Sequence, residues 1–297
     1  MDTLESIRSK SNGAKDLKSV VSAMKAMASS NIMQYEDAVA SLSDYYHAIS
    51  LGIIAYFRAE KVQSIIEKKT KKNKKDQILC AIVFGTDQGL VGQFNDAMAE
   101  FVQKSLIELP GKKEVWVIGE RVQLLLSDME LVSKQNYSIP IDVNGITPLV
   151  QEILIKSEGS YQRQEIQEFY IFHNQPKNGS GYEPVMQRFL PLDEKWKLNL
   201  QQIRWPTTLP PEIIGEPKPT LLALISGYLF TSLFKACAES LASENASRLD
   251  AMQRAEKNIE DLLDDLNNKY HRLRQSSIDE ELFDVVAGFE ALKGKVS

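Results

Sequence analysis

The chain has 297 residues, 43% of them hydrophobic and 25% charged, with a formal net charge of −5. That composition supports a packed core and excludes general disorder. The near balance of charge excludes non-specific attraction to nucleic acid as the main role.

The chain opens Met1-Asp2-Thr3-Leu4-Glu5. With no apolar run and no arginine-rich pattern there, neither a signal peptide nor a transit peptide is expected. Apolar or small residues then recur at Leu4, Ile7, Ser11, Ala14, Leu17, Val21, Met24, Ala28, Ile32, Tyr35, Val39, Leu42, Tyr46, Ile49 and Ile53. Steps that alternate between three and four are the heptad seam of a coiled coil. No proline interrupts the pattern, which predicts a helix over residues 3–57, roughly 80 Å long. Beside the seam, Arg8, Lys15, Lys18 and Lys25 follow one another by seven, three and seven residues. They form one basic stripe, which is either a solvated face or a track facing an acidic partner.

A lysine-rich turn (residues 68–75) separates this helix from a different grammar. Residues 78–84 (ILCAIVF) form a short apolar run ending in Gly85-Thr86-Asp87, as a buried parallel strand does. A helix is expected over 95–109, a strand over 115–119, a helix over 121–127, a weak strand near Tyr137 and a helix over 149–157. Further strands are expected over 166–172 and 185–190. Strands alternating with helices imply a small, mostly parallel α/β sheet.

Candidate chemistry in this region is sparse. The loop from Gly85 to Gly92 is a glycine-rich turn after a strand, yet it fits neither GxGxxG nor GxxxxGK[ST]. It reads as a strand-to-helix crossover in which Asp87 makes local backbone hydrogen bonds. Cys80 and Cys237 lie far apart and read as buried, reduced thiols. His47, His173 and His271 are scattered, and the acidic pairs Asp264/Asp265 and Glu280/Glu281 sit in helical charge patterns. No catalytic residue, metal site or cofactor site is expected.

Prolines at 206, 210, 211, 217 and 219 end abruptly. Pro219 suits a helix start, where its missing N–H costs nothing. Residues 219–234 carry no charge, but they fall short of a membrane-spanning helix and include Ser226, Gly227, Thr231 and Ser232. Any membrane association is therefore expected through a partner. An apolar series from Leu221 through Leu229, Leu233, Met252, Ile259, Leu262, Leu266, Tyr270 and Leu273 to Leu292 predicts a second helix, approaching roughly 110 Å. The two helices leave the same α/β region and can pair antiparallel. Because the second is longer, Ile278, Leu282, Val285, Val286, Phe289 and Leu292 are expected to form a helical tip without an intrachain partner.

Several ordered blocks resemble one family. Ile7-Arg8-Ser9-Lys10 and residues 20–30 (VVSAMKAMASS) are similar to the opening helix of F-type ATP synthase gamma subunits. Residues 239–252 (ESLASENASRLDAM), Arg274-Gln275-Ser276-Ser277-Ile278, Glu281-Leu282 and Val285-Val286-Ala287-Gly288 resemble its closing helix in order and spacing. The loop from Asp87 to Asn95 is similar to the family's Asp-x-Gly-Leu-x-Gly turn. The resemblance implies a long antiparallel coiled coil (residues 1–60 and 217–293) with an inserted small Rossmann-like, mostly parallel α/β domain (76–205).

It further implies a non-catalytic central shaft within a ring of alpha- and beta-type subunits, seated on an epsilon-type subunit and a membrane c-ring. The place would be the cytoplasmic face of a bacterial inner membrane, with no cofactor and no direct nucleotide contact. By matching position, Lys25 would lie near the acidic lever of a catalytic subunit and Arg248 would reach a catalytic-subunit loop. Arg274 and Gln275 would meet the ring's catch loops. Asp279 stands where the family places a hydroxyl. A coiled-coil tether with an α/β head and a nucleotide-binding enzyme with helical arms are the competing readings.

Overall fold

A computed structural model describes residues 3–59, 77–177, 181–207, 209 and 211–293. The lysine-rich segment at 68–75 lies outside the described residues. In chain order the elements are α1 (Leu4–Ala59), β1 (Ile78–Phe84), α2 (Phe94–Glu108), β2 (Lys112–Ile118), α3 (Glu120–Asp128) and β3 (Ser133–Tyr137). They continue with α4 (Ile146–Gln162), β4 (Glu168–Pro176), β5 (Tyr182–Leu190), α5 (Glu194–Gln202) and α6 (Pro217–Lys293).

Local chemistry sets the element ends. Thr3 opens α1 by accepting from the Ser6 N–H through Oγ1 at 3.2 Å. α6 begins at Pro217. Pro217 and Pro219 both fall in its first turn, where backbone donors have no helical acceptor in any case. α4 runs well beyond the expected residues 149–157. α5 was not anticipated: its sequence EKWKLNLQQ is mostly polar, and its start is set by Asp193, whose Oδ1 accepts from the Trp196 N–H at 2.9 Å.

The sheet has the order β3-β2-β1-β4-β5. β1 pairs parallel with β2 and β4, β2 pairs parallel with β3, and β5 joins β4 antiparallel. Side chains alternate between two layers, as the pleat requires. Cys80, Ile82, Phe84, Phe169 and Ile171 face a cluster with Ile49 and Ile53 of α1, Val150 and Ile153 of α4, and Leu229 and Leu233 of α6. Leu79, Ala81, Val83, Tyr170 and Phe172 face Met98 and Val102 of α2 and Val122 and Leu126 of α3. Coverage on both faces explains why β1 reads as one continuous apolar run.

The chain divides into two compact units: Met1–Met27 with Leu249–Ser297, and Ala28–Arg248. Each contains part of α1 and part of α6. In the larger unit the two helices run antiparallel, with Asn31 Nδ2 donating to Asn245 Oδ1 at 3.3 Å. A Cβ on Gly52 would meet Leu224 at 2.7 Å, and one on Gly227 would meet Ile49 at 2.9 Å. Both glycines thus permit close helix approach. In the smaller unit Lys18 pairs with Glu260 at 2.8 Å, Ser22 Oγ donates to Glu256 at 3.1 Å, and Lys25 pairs with Glu256. That pairing is antiparallel too.

The seam departs from its expected path at two places. Leu17 is 59% exposed and Lys18 turns toward α6 instead; Leu262 is 48% exposed, and Leu263 takes the inward position. One 18-residue window of α6 reaches a mean hydropathy of 1.6, enough by length and composition to cross a membrane, but half of it is buried inside the protein. Leu229 and Leu233 pack there against the sheet cluster, which is the pattern of a core helix.

Candidate functional site

In open α/β sheets, ligands bind at the carboxyl ends of strands where the strand order reverses. Here that place lies between β1 and β4. The loop after β1 is closed on itself: Thr86 N–H donates to Asn95 Oδ1 at 3.0 Å, and Asn95 Nδ2 donates to Thr86 Oγ1 at 2.9 Å. The bonds of Asp87, expected to be local, instead reach across to two other segments. Its Oδ1 accepts from the Glu120 N–H and its Oδ2 from the Ile139 N–H, each at 2.9 Å.

The glycines of this region serve packing between loops. A Cβ on Gly85 would lie 2.2 Å from Val122, and Gly119, at φ +111°, would place one 2.7 Å from the Thr86 nitrogen.

The reversal point is further covered by α6. Ser243 Oγ donates to the Asn174 carbonyl at 3.1 Å, and Ser247 Oγ donates to the Val91 carbonyl at 2.5 Å. His173 Nε2 lies 3.0 Å from Glu239 Oε2, so this histidine is buried against a carboxylate, whereas His47 and His271 are exposed. Arg248 is paired with Glu244 one turn earlier at 2.6 Å. Burial raises the Glu244 carboxyl above its ordinary range, opposed by the Arg248 charge. Burial likewise pushes the Cys80 and Cys237 thiols up, and both are free. Among the described residues no group of three or more His, Cys, Asp and Glu could hold a metal ion.

The surface residues singled out from sequence divide between positions paired within the chain and open ones. Lys18 and Lys25 are half-buried in ion pairs with α6, while Arg8 and Lys15 are exposed. The basic stripe therefore divides between a cross-helix clasp and an open face. Arg248 is mostly buried beside Glu244, whereas Arg274, Gln275 and Asp279 are exposed on α6.

Beyond them, Ile278, Leu282, Val285 and Val286 are 54%, 61%, 69% and 47% exposed. Phe289 lies on α6, and its side chain is outside the described residues. In the smaller unit, the residue numbers of the Lys18–Glu260 and Ser22–Glu256 pairs each sum to 278. At that register Leu4 falls opposite about residue 274, at 3.6 residues per turn in both helices. Ile278 onward thus has no α1 residue opposite it. Phe283, 74% exposed, joins this tip and was missed in sequence because it stands off the expected stripe. With it, the apolar arc covers roughly 160° of the helix at 100° per residue.

Two long helices paired antiparallel, with a doubly wound sheet inserted between them, define the class of this protein. The family model described as ATP synthase matches residues 3–292, and the chain belongs to that family. It is 28% identical over 303 residues to the ATP synthase gamma chain of Histophilus somni (strain 2336), covering 96% of this chain and 98% of that one. Against the ATP synthase gamma chain of Haemophilus influenzae (strain PittEE) it is 27% identical over 296 residues, with the same coverage. Among solved structures, the rotor of Euglena gracilis mitochondrial ATP synthase matches with a TM-score of 0.60 at 15% identity, covering 93% of this chain and 98% of that chain. The central stalk and c-ring structure of Tetrahymena thermophila mitochondrial ATP synthase gives 0.54 at 20% identity, covering 80% and 99%. These structures share the fold.

Proposed function

We propose that this chain is the gamma-type central shaft of an F-type ATP synthase, coupling ion flow through a membrane c-ring to ATP synthesis or hydrolysis in a surrounding ring of alpha- and beta-type subunits. The observation that carries this reading is the bare apolar tip of α6, beyond the register of α1. An exposed arc of that size is a docking surface. An apolar sleeve lets a shaft turn because it makes no directional hydrogen bonds.

The chain itself is non-catalytic in this reading. What supports this is that Ser243 and Ser247 of α6 bond to the Asn174 and Val91 carbonyls at the reversal point between β1 and β4. Work is instead transmitted by asymmetry. A shaft that presents a different face to each of three equivalent sites sets each site's preferred conformation through differential contacts. Arg8 and Lys15 are open basic positions that would face an acidic partner surface. Arg274, Gln275 and Asp279 are exposed where the ring's catch loops would meet them. Lys25 and Arg248, already paired within the chain, would reach the ring only by exchanging those partners.

An epsilon-type subunit and the c-ring would hold the α/β domain and the foot, at the cytoplasmic face of a bacterial inner membrane. Residues 1–60 and 217–293 are the shaft and 76–205 the inserted domain. Co-expression with the alpha and beta subunits of the same source tests the reading. A stoichiometric complex whose ATPase depends on this chain is expected; a chain that purifies alone and leaves the ring's ATPase unchanged would overturn it.

A further inference from the structure

We propose that α5 is a torsional buttress, which braces the foot of the helix pair against the sheet so that twist applied there is not lost as shear between α1 and α6. The inference rests on the rotor reading above and adds a mechanical role for Trp196 as a positioning residue.

α5 has only nine residues, yet it is tied down on three sides. Toward the helix pair, Trp196, Leu200 and Ile203 follow the i, i+4, i+7 spacing of a buried stripe and pack in the cluster that contains α1 and α6. Trp196 meets Phe57 of α1 edgewise at 6.4 Å and Tyr228 of α6 at 5.5 Å between ring centroids. Tyr228 in turn meets Tyr46 of α1 at 5.6 Å. One indole thus bridges the last turns of α1 and the first turns of α6, with a second cross-helix ring pair behind it. Edge-to-face ring contacts at these distances are directional and resist sliding.

Toward the sheet, Arg188 of β5 donates to Glu168 of β4 at 2.9 Å, and its other guanidinium nitrogen lies 4.0 Å from Asp193. Asp193 is the residue that caps α5 and accepts from the Trp196 N–H. A continuous chain of contacts therefore runs from β4 through Arg188 and Asp193 to Trp196. The exit from α5 is fastened as well: Trp205 lies under the Arg58 guanidinium at 5.2 Å and donates its Nε1–H to the Leu209 carbonyl at 3.1 Å. From Asp193 to Trp205 the segment around α5 is thus fastened to β5, α1 and α6, and so is built to carry load between them.

The test uses the assembled enzyme, immobilised by its catalytic ring, with a bead on the c-ring and ATP as the fuel. Angular fluctuation during pauses reads torsional stiffness, while ATP hydrolysis without a bead reads unloaded activity. Trp196→Leu should widen the fluctuation with unloaded hydrolysis kept; Trp196→Phe, which retains the ring contacts, should restore the native width. Arg188→Met, which leaves the ring cluster in place, should also widen the fluctuation, and this arm decides the matter if Trp196→Leu does not assemble. Native stiffness in Trp196→Leu, or in Arg188→Met where Trp196→Leu fails to assemble, overturns the buttress. If the native enzyme hydrolyses ATP without turning the bead, the rotor reading itself fails.

Discussion

Ser247 Oγ donates a hydrogen bond to the carbonyl oxygen of Val91 at 2.5 Å, joining α6 to the loop after β1 across 156 residues of sequence. A helix thereby stands where a doubly wound sheet would otherwise admit a ligand. The isolated chain should accordingly bind no nucleotide. Calorimetry with ATP and magnesium should give only heats of dilution; saturable micromolar binding that is lost on mutating the 85–92 loop would contradict this.

Ser247→Ala should cost about 0.5–1.5 kcal/mol of stability, the net worth of one hydrogen bond. The Val91 carbonyl keeps the Phe94 N–H, at 3.3 Å, as a second partner, so the loss should stay at that scale. Urea unfolding of the two proteins measures the difference.

The basic stripe should respond in two ways. Reversing Arg8 and Lys15 to Glu should leave helicity and thermal stability nearly unchanged, because exposed charges contribute little. It should weaken coupling to the ring's ATPase, and more so at low salt, where screening is least. Reversing Lys18 and Lys25 should instead lower the melting temperature, because each then faces a like charge on Glu260 or Glu256. Equal melting temperatures for the two double variants would remove the distinction.

That division shows what was and was not legible in the sequence. Heptad spacing revealed both long helices, and strand–helix alternation revealed the sheet. Spacing alone could not decide between Leu17 and Lys18, or between Leu262 and Leu263, because adjacent residues are separated only by the partner they meet. α5 escaped notice because three apolar residues in a polar nonapeptide carry little periodic signal; Phe57 and Tyr228, far away in sequence, hold it. The role of Ser243 and Ser247 was hidden for the same reason. A small hydroxyl on a helix announces a bond to a distant carbonyl by no local pattern.

Acid should loosen the helix pair of the smaller unit. The Lys25 ammonium first, and the Ser22 hydroxyl second, hold the Glu256 carboxyl below its ordinary value of 4.5. A depressed carboxyl contributes stability that is present above its unfolded value and is lost as pH falls through the lower, folded one. Glu256→Gln should therefore flatten the acid side of the stability profile, as measured by thermal unfolding from neutral pH to below 4.5.

Deleting everything after Ile278 should weaken assembly with the ring and reduce torque, while leaving the sheet folded by circular dichroism. In a sleeve each large side chain of the tip would contribute roughly 1.5–3 kcal/mol. Backbone exchange of the tip should be fast in the isolated chain and slow in the complex. Equal protection in both states would mean that the tip packs on its own chain.

The rotor assignment is tested most directly by fixing the catalytic ring to a surface and attaching a bead to this chain. On addition of ATP the bead should turn continuously in one direction and stop when ATP is removed. A ring that hydrolyses ATP at full rate while the bead only fluctuates about a fixed angle would contradict the account.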